Sequence, residues 1–83
     1  MDVIAEVQKM HKEFVGKHAY RARVVEHEGV TFYSVGQNAS HDFFIGTKEG
    51  KRFILSVANW EDGSSEEHSY EVDSWNGKYL GHY

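Results

Sequence analysis

Ser40, His41 and Asp42 follow one another in this chain, and they are the three residue types of a hydrolase triad. A triad needs its histidine within hydrogen-bond reach of both the hydroxyl and the carboxylate. Neighbouring residues on a strand point to opposite faces, so this run reads instead as a turn leading into a strand. The histidines His11, His18, His27, His41, His68 and His82 raise the question of a metal. Metal ligands converge, often from i and i+4 on one helix or from adjacent strands. His11 and His18 lie seven residues apart, and the other four are scattered over turns and strands. No metal and no cofactor is therefore expected. Glycine-rich phosphate loops and the nucleophile elbow are missing from the sequence, so the expectation is a protein that is not an enzyme.

Two other groups of residues carry chemistry suited to binding. The first is acidic: Glu61, Asp62, Glu66 and Glu67, followed by Glu71 and Asp73. Spread among polar residues, these acids keep a surface solvated, and they can also complement a basic partner, speeding encounter and excluding wrong partners. Glu66, Glu67 and His68 could do acid–base work only in a cleft that shifts their pKa values. The second group mixes guanidinium and aromatic side chains: Arg21, Arg23, Tyr33, Phe44, Arg52, Ile54 and Trp75. Such a mix occurs at protein–protein hot spots and where single-stranded nucleic acid stacks on a sheet. It also occurs where arginines simply lie over aromatic rings and shield them.

These residues must be positioned by a small domain. The chain has 83 residues, which is one domain, and such a domain buries only about 60–65% of its unfolded surface. An aromatic content of 14% compensates in part. With no cysteine, neither a disulfide framework nor a thiolate metal site can form. The first residues lack the basic and apolar regions of a signal peptide, and no apolar run approaches membrane-spanning length. A soluble, cytoplasmic protein with no membrane partner is the expectation. The net charge of −4 argues against broad attraction to nucleic acid or anionic lipid.

Apolar Val3, Val7, Met10 and Phe14 recur at helical spacing, widened by Ile4, His11 and Val15, and predict an amphipathic helix over residues 3–15. Asp2 suits its N-cap, Gly16 its stop, and His11 the edge of its packed stripe. From residue 19 the pattern switches to period 2 and holds to residue 83. Strands are predicted near 19–27, 30–36, 41–46, 51–59, 67–74 and 78–83, punctuated by Glu28-Gly29, Glu49-Gly50 and Asn76-Gly77. The fold class that follows is α+β: one N-terminal helix packed on an antiparallel five- or six-stranded β-meander, curling toward a half-barrel.

A three-residue loop at Lys48-Glu49-Gly50 pairs Ile45 with Phe53 and Phe43 with Leu55 on the helix side, and Phe44 with Ile54 on the other. A three-residue loop at His27-Glu28-Gly29 pairs Val24 with Phe32; a two-residue loop would flip every face. The predicted core sets the helix stripe against Tyr20, Ala22, Val24, Phe32, Phe43, Ile45, Phe53, Leu55, Val57, Tyr70 and Val72. The run from Phe53 to Ala58 reads as a central strand, buried or half-buried on both faces.

One helix covers one side of a sheet, which leaves the Arg–aromatic side for solvent, a copy or a partner. The leading reading is a small protein-interaction module of inhibitor or adaptor type, such as a phage or mobile element encodes. It would bind a protein partner, or itself as a homodimer, through the sheet face or the acidic C-terminal half. The alternative is a single-stranded nucleic-acid binder that uses Arg21, Arg23, Tyr33, Phe44 and Arg52. A third reading places a small molecule between helix and sheet, near His11, His41 or Tyr79.

Overall fold

The computed structural model describes residues 3–20, 22–37 and 40–75. One helix, α1 (Val3–His18), precedes five strands: β1 (Val24–His27), β2 (Val30–Gln37), β3 (His41–Lys48), β4 (Lys51–Asn59) and β5 (Ser65–Val72). The strands form one antiparallel sheet in chain order. This is the α+β meander that the change of period from helical to strand-like predicts. The predicted last strand and the Asn76-Gly77 turn lie outside the described residues.

The helix runs past Gly16 to His18, and Ala22 N–H then reaches back to the carbonyls of His18 and Ala19 at 3.1 and 3.3 Å. That closing turn delays β1 to Val24, so Tyr20, predicted in the core, is 83% exposed. Val24 and Tyr70, also assigned to the core, stand exposed on the two edge strands. The expected stripe of α1 does face the sheet, with Val7 and Phe14 buried.

Both glutamate–glycine turns are two residues long. His27 pairs with Val30 and Lys48 with Lys51. Glu28 and Gly29 have φ of 51° and 80°, and Glu49 and Gly50 have 54° and 77°. Two positive φ values in a row define the type I′ turn, whose twist matches that of the strands it joins. A three-residue loop would have spared each glutamate the left-handed region, which costs about 1–2 kcal/mol for a residue with a Cβ. Here the twist match prevails, and the three-residue registers are corrected by one residue. Ile45 pairs with Ile54, and Phe44 with Leu55.

The one-residue shift redistributes the faces. Val7, Val35, Ile45, Ile54 and Trp75 form a core under the helix, with Val3, Met10, Tyr33 and Val72 packed against it. Val30, Phe32, Phe44, Leu55 and Val57 form a second core on the opposite face, flanked by Val25 and Phe53. No helix among the described residues covers this second core; the sheet covers it by curling. His27 on one edge reaches Glu67 on the other, with Nδ1 and Oε2 2.9 Å apart. Beside them Ser69 Oγ donates to Glu28 at 3.4 Å. Both edges thus meet over the face of the second core, which makes that face concave. A bulge at Val35, between Ser34 and Gly36, adds a local bend.

Polar contacts of Ser34 tie β2 to the helix and to the segment before β1. His11 Nδ1 donates to the Ser34 carbonyl at 2.7 Å, and its ring meets Tyr33 edge-on. The buried Ser34 hydroxyl accepts from Arg23 N–H and donates to Arg23 C=O, both at 2.8 Å. Those bonds satisfy the hydroxyl and the backbone just before β1 begins.

Candidate functional site

The Arg–aromatic group does not assemble into one surface. Phe44 and Ile54 are 1% and 0% exposed and belong to cores on opposite faces of the sheet. Tyr33 lies under the helix and is half-buried. Arg52 pairs with Glu6 of the helix at 3.1 Å and donates to the Asp73 carbonyl at 3.3 Å. Its guanidinium lies 5.5 Å from the ring centre of Trp75. Trp75 is itself buried, its indole N–H donating to the Phe53 carbonyl at 3.0 Å. Arg23 sits over Phe44 at 5.3 Å and faces Asp42 at 3.5 Å. Arg21 lies outside the described residues. The expected open patch is therefore corrected: its apolar members fill two cores, and its described arginines are shared between rings and carboxylates within the chain.

Ser40 Oγ and His41 Nδ1 are 2.7 Å apart, whereas the Asp42 carboxylate turns away to accept from Asn59 Nδ2 at 3.1 Å and to face Arg23. The hydrogen-bond chain of a triad is thus not formed. No group of three or more metal-ligating His, Asp or Glu side chains occurs among the described residues. The first core packs between helix and sheet, and two partly open pockets of about 230 and 190 Å³ flank it, one beside Met10, Phe14 and Val35 and the other beside Ile4, Val7 and Tyr33. Tyr79, named for a pocket there, is outside the described residues. No described helix is long and apolar enough to cross a membrane.

What stands exposed instead is the tip between β4 and β5. Trp60, with 55% of its surface open, follows the last residue of β4. Its backbone is tied from both sides. Trp60 N–H donates to the Ser64 carbonyl at 2.9 Å, and Gly63 N–H donates to the Trp60 carbonyl at 3.0 Å. The Asp62 Oδ1 accepts from Ser64 N–H at 2.9 Å and from Ser64 Oγ at 2.6 Å. These bonds, the hydroxyl first and the amide second, hold the Asp62 carboxyl below its ordinary value. One residue earlier, Asn59 N–H donates to the Ser40 carbonyl at 2.8 Å, which joins the tip to the start of β3. An open cleft of about 680 Å³ results, lined by Ser40, Asn59, Trp60, Glu61, Asp62 and Ser64.

The four acids named from the sequence divide here. Glu61 and Asp62 line the cleft. Glu66 lies 3.1 Å from His68, and Glu67 2.9 Å from His27, so these two are engaged along β5. Sequence reasoning passed over Trp60, although one signal marks it. A large aromatic follows the end of β4 and stands two residues before Asp62-Gly63-Ser64-Ser65, where a loop leaves little for it to pack on.

Comparison with family models, curated proteins and solved structures gave no match to this chain.

Proposed function

We propose that this chain is a protein-interaction module, of inhibitor or adaptor kind, that offers Trp60 and its acidic rim to a basic surface of another protein. The observation that carries the reading is Trp60, a large side chain held out from the fold on a turn braced by hydrogen bonds. Exposed tryptophan on a braced backbone loses little entropy on binding and is the residue type most enriched at hot spots. Glu61 and Asp62 beside it favour a partner of positive charge. The same acids oppose nucleic acid, whose phosphates they repel, and a symmetric contact between two copies, which would set like charges face to face.

The test compares proteins captured from cells of the native source by the wild type, Trp60→Ala and Glu61→Lys. Circular dichroism confirms that each variant is folded. A specific partner should be retained by the wild type and lost by both variants. Removal of a hot-spot tryptophan weakens binding by about 2 kcal/mol or more, roughly thirtyfold. Recovery of the same proteins by all three variants, or sedimentation of the wild type as a dimer that Trp60→Ala does not dissociate, would exclude this surface.

A further inference from the structure

Within this molecule, cation binding by an aromatic ring follows one pattern twice. Arg52 lies 5.5 Å from the centre of the Trp75 ring, with a Glu6 carboxylate oxygen 3.1 Å from its Nη2. Arg23 lies 5.3 Å from the centre of the Phe44 ring, with an Asp42 carboxylate oxygen 3.5 Å from its Nη2. Each guanidinium has a ring beneath it and a carboxylate at its edge. Trp60, Glu61 and Asp62 line one cleft and supply the same two kinds of partner. No lysine or arginine lines that cleft, and no cation lies over Trp60 among the described residues.

We propose that the binding partner fills this position with an arginine side chain, its guanidinium lying on the Trp60 indole and its N–H groups donating to the Glu61 and Asp62 carboxylates. The inference rests on the reading of this tip as the docking surface and specifies what docks there. Tryptophan has the most attractive ring face for a cation. The guanidinium suits the cleft better than an ammonium, because it is planar, weakly hydrated, and can stack and donate sideways at once. A lysine would meet the negative rim, but its compact, strongly hydrated charge would gain less from the ring. Asp62 is already held in place at the rim, where Ser64 engages its Oδ1 through both amide and hydroxyl.

Isothermal titration of the full chain with two capped peptides decides the matter. In one, glycine alternates with arginine; in the other, lysine replaces each arginine, so length and charge are equal. The arginine peptide should bind about two- to threefold more tightly than the lysine peptide, part of the roughly fivefold upper value of one exposed cation–indole contact, which a lysine keeps only in part. Trp60→Ala should remove that preference and leave a weak, salt-sensitive attraction to both peptides. Glu61→Gln should weaken both without abolishing the preference. Equal binding of the two peptides, each weakened by Trp60→Ala, would overturn the arginine inference while keeping the tip as a docking surface. Binding of both peptides that Trp60→Ala leaves unchanged would overturn the docking surface as well. Failure of the arginine peptide to bind at millimolar concentration and low salt would also overturn the inference.

Discussion

Replacement of Gly46 by alanine probes the packing that turns a flat meander into a curled sheet. Gly46 lies in the middle of β3, on the concave face, between Phe32 of β2 and Phe53 of β4. A Cβ there would fall 2.5 Å from the Thr31 carbonyl oxygen, 2.9 Å from Val30 Cγ1 and 3.1 Å from Phe32 Cδ1. Carbon contacts are comfortable at about 3.5–4.0 Å, so three neighbours would have to retreat together. The nearest is backbone in β2, the strand that pairs with β3, and it cannot withdraw as a side chain would. Overpacking of a filled core costs about 1–3 kcal/mol, and an obstacle of this kind puts the cost near the upper end. The gain from restricting the unfolded chain is only about 0.4–1 kcal/mol. The net loss should be about 2–2.5 kcal/mol, or a melting temperature lower by roughly 8–20 °C for a chain of this size. Gly16 supplies the control. It lies within α1, and a Cβ there meets nothing within 4 Å. Gly16→Ala should therefore stabilise by about 0.5–1 kcal/mol, the ordinary helical gain. Urea unfolding followed by circular dichroism measures both variants on one scale. A Gly46→Ala protein as stable as the wild type would refute the argument, because the concave core would then have room that its geometry denies.

Two further perturbations address the turns and the tip. Glu49→Asn relieves a left-handed glutamate at an exposed position and should stabilise the protein by about 0.5–1 kcal/mol in the same urea assay; a loss of stability would mean that the two-residue register is wrong. The Asp62 carboxyl titrates below its ordinary value in the folded state. Its contribution to the loop is therefore complete above the unfolded-state pKa, about 3.9, and is lost as pH falls through the lowered folded pKa. Carboxyl chemical shifts should show that midpoint moving upward in Ser64→Ala, which deletes the leading hydrogen bond; an unmoved midpoint would contradict the assigned cause.

The fold was legible because it rests on signals that do not depend on register. The stripe of Val3, Val7, Met10 and Phe14 specifies a helix whichever strand it meets. The glycine dipeptides specify turns whatever their length. The assignment of faces was not legible, because it hangs on one torsion in each turn. If Glu49 avoids positive φ, Phe44 faces the same side as Ile54; if it accepts it, they part. A second assumption also failed, that the side of the sheet without a helix is left for solvent, a copy or a partner. The sheet covers its other side by bending, drawing His27 to Glu67 across the mouth. The run Phe53–Ala58, read as buried or half-buried on both faces, already contained that outcome: Ile54 and Leu55 are both fully buried, one in each core.

The curl also bears on why the proposed docking surface lies at the tip. A meander whose edges meet buries apolar groups of both faces in its two cores, and the surface proposed for binding is one that projects from an end. At the end where β4 passes into β5, Asn59 is held by the Ser40 carbonyl and by Asp42, which fixes the departure of the chain from the sheet. Trp60 is the next residue, and the Asp62–Ser64 bonds brace the turn it opens. If the large aromatic were at Asn59 instead, its side chain would lie on the concave side, in register with Asp42's neighbour Val57 two residues back. A shift of one residue past the strand end is what places the indole in solvent beside Glu61. The acids along β5 then have a separate task. Glu66 and Glu67 lie on an edge strand, where charge discourages pairing with another sheet. In the proposed reading, charge on this edge discourages strand pairing, and the exposed ring at the tip supplies the surface worth desolvating.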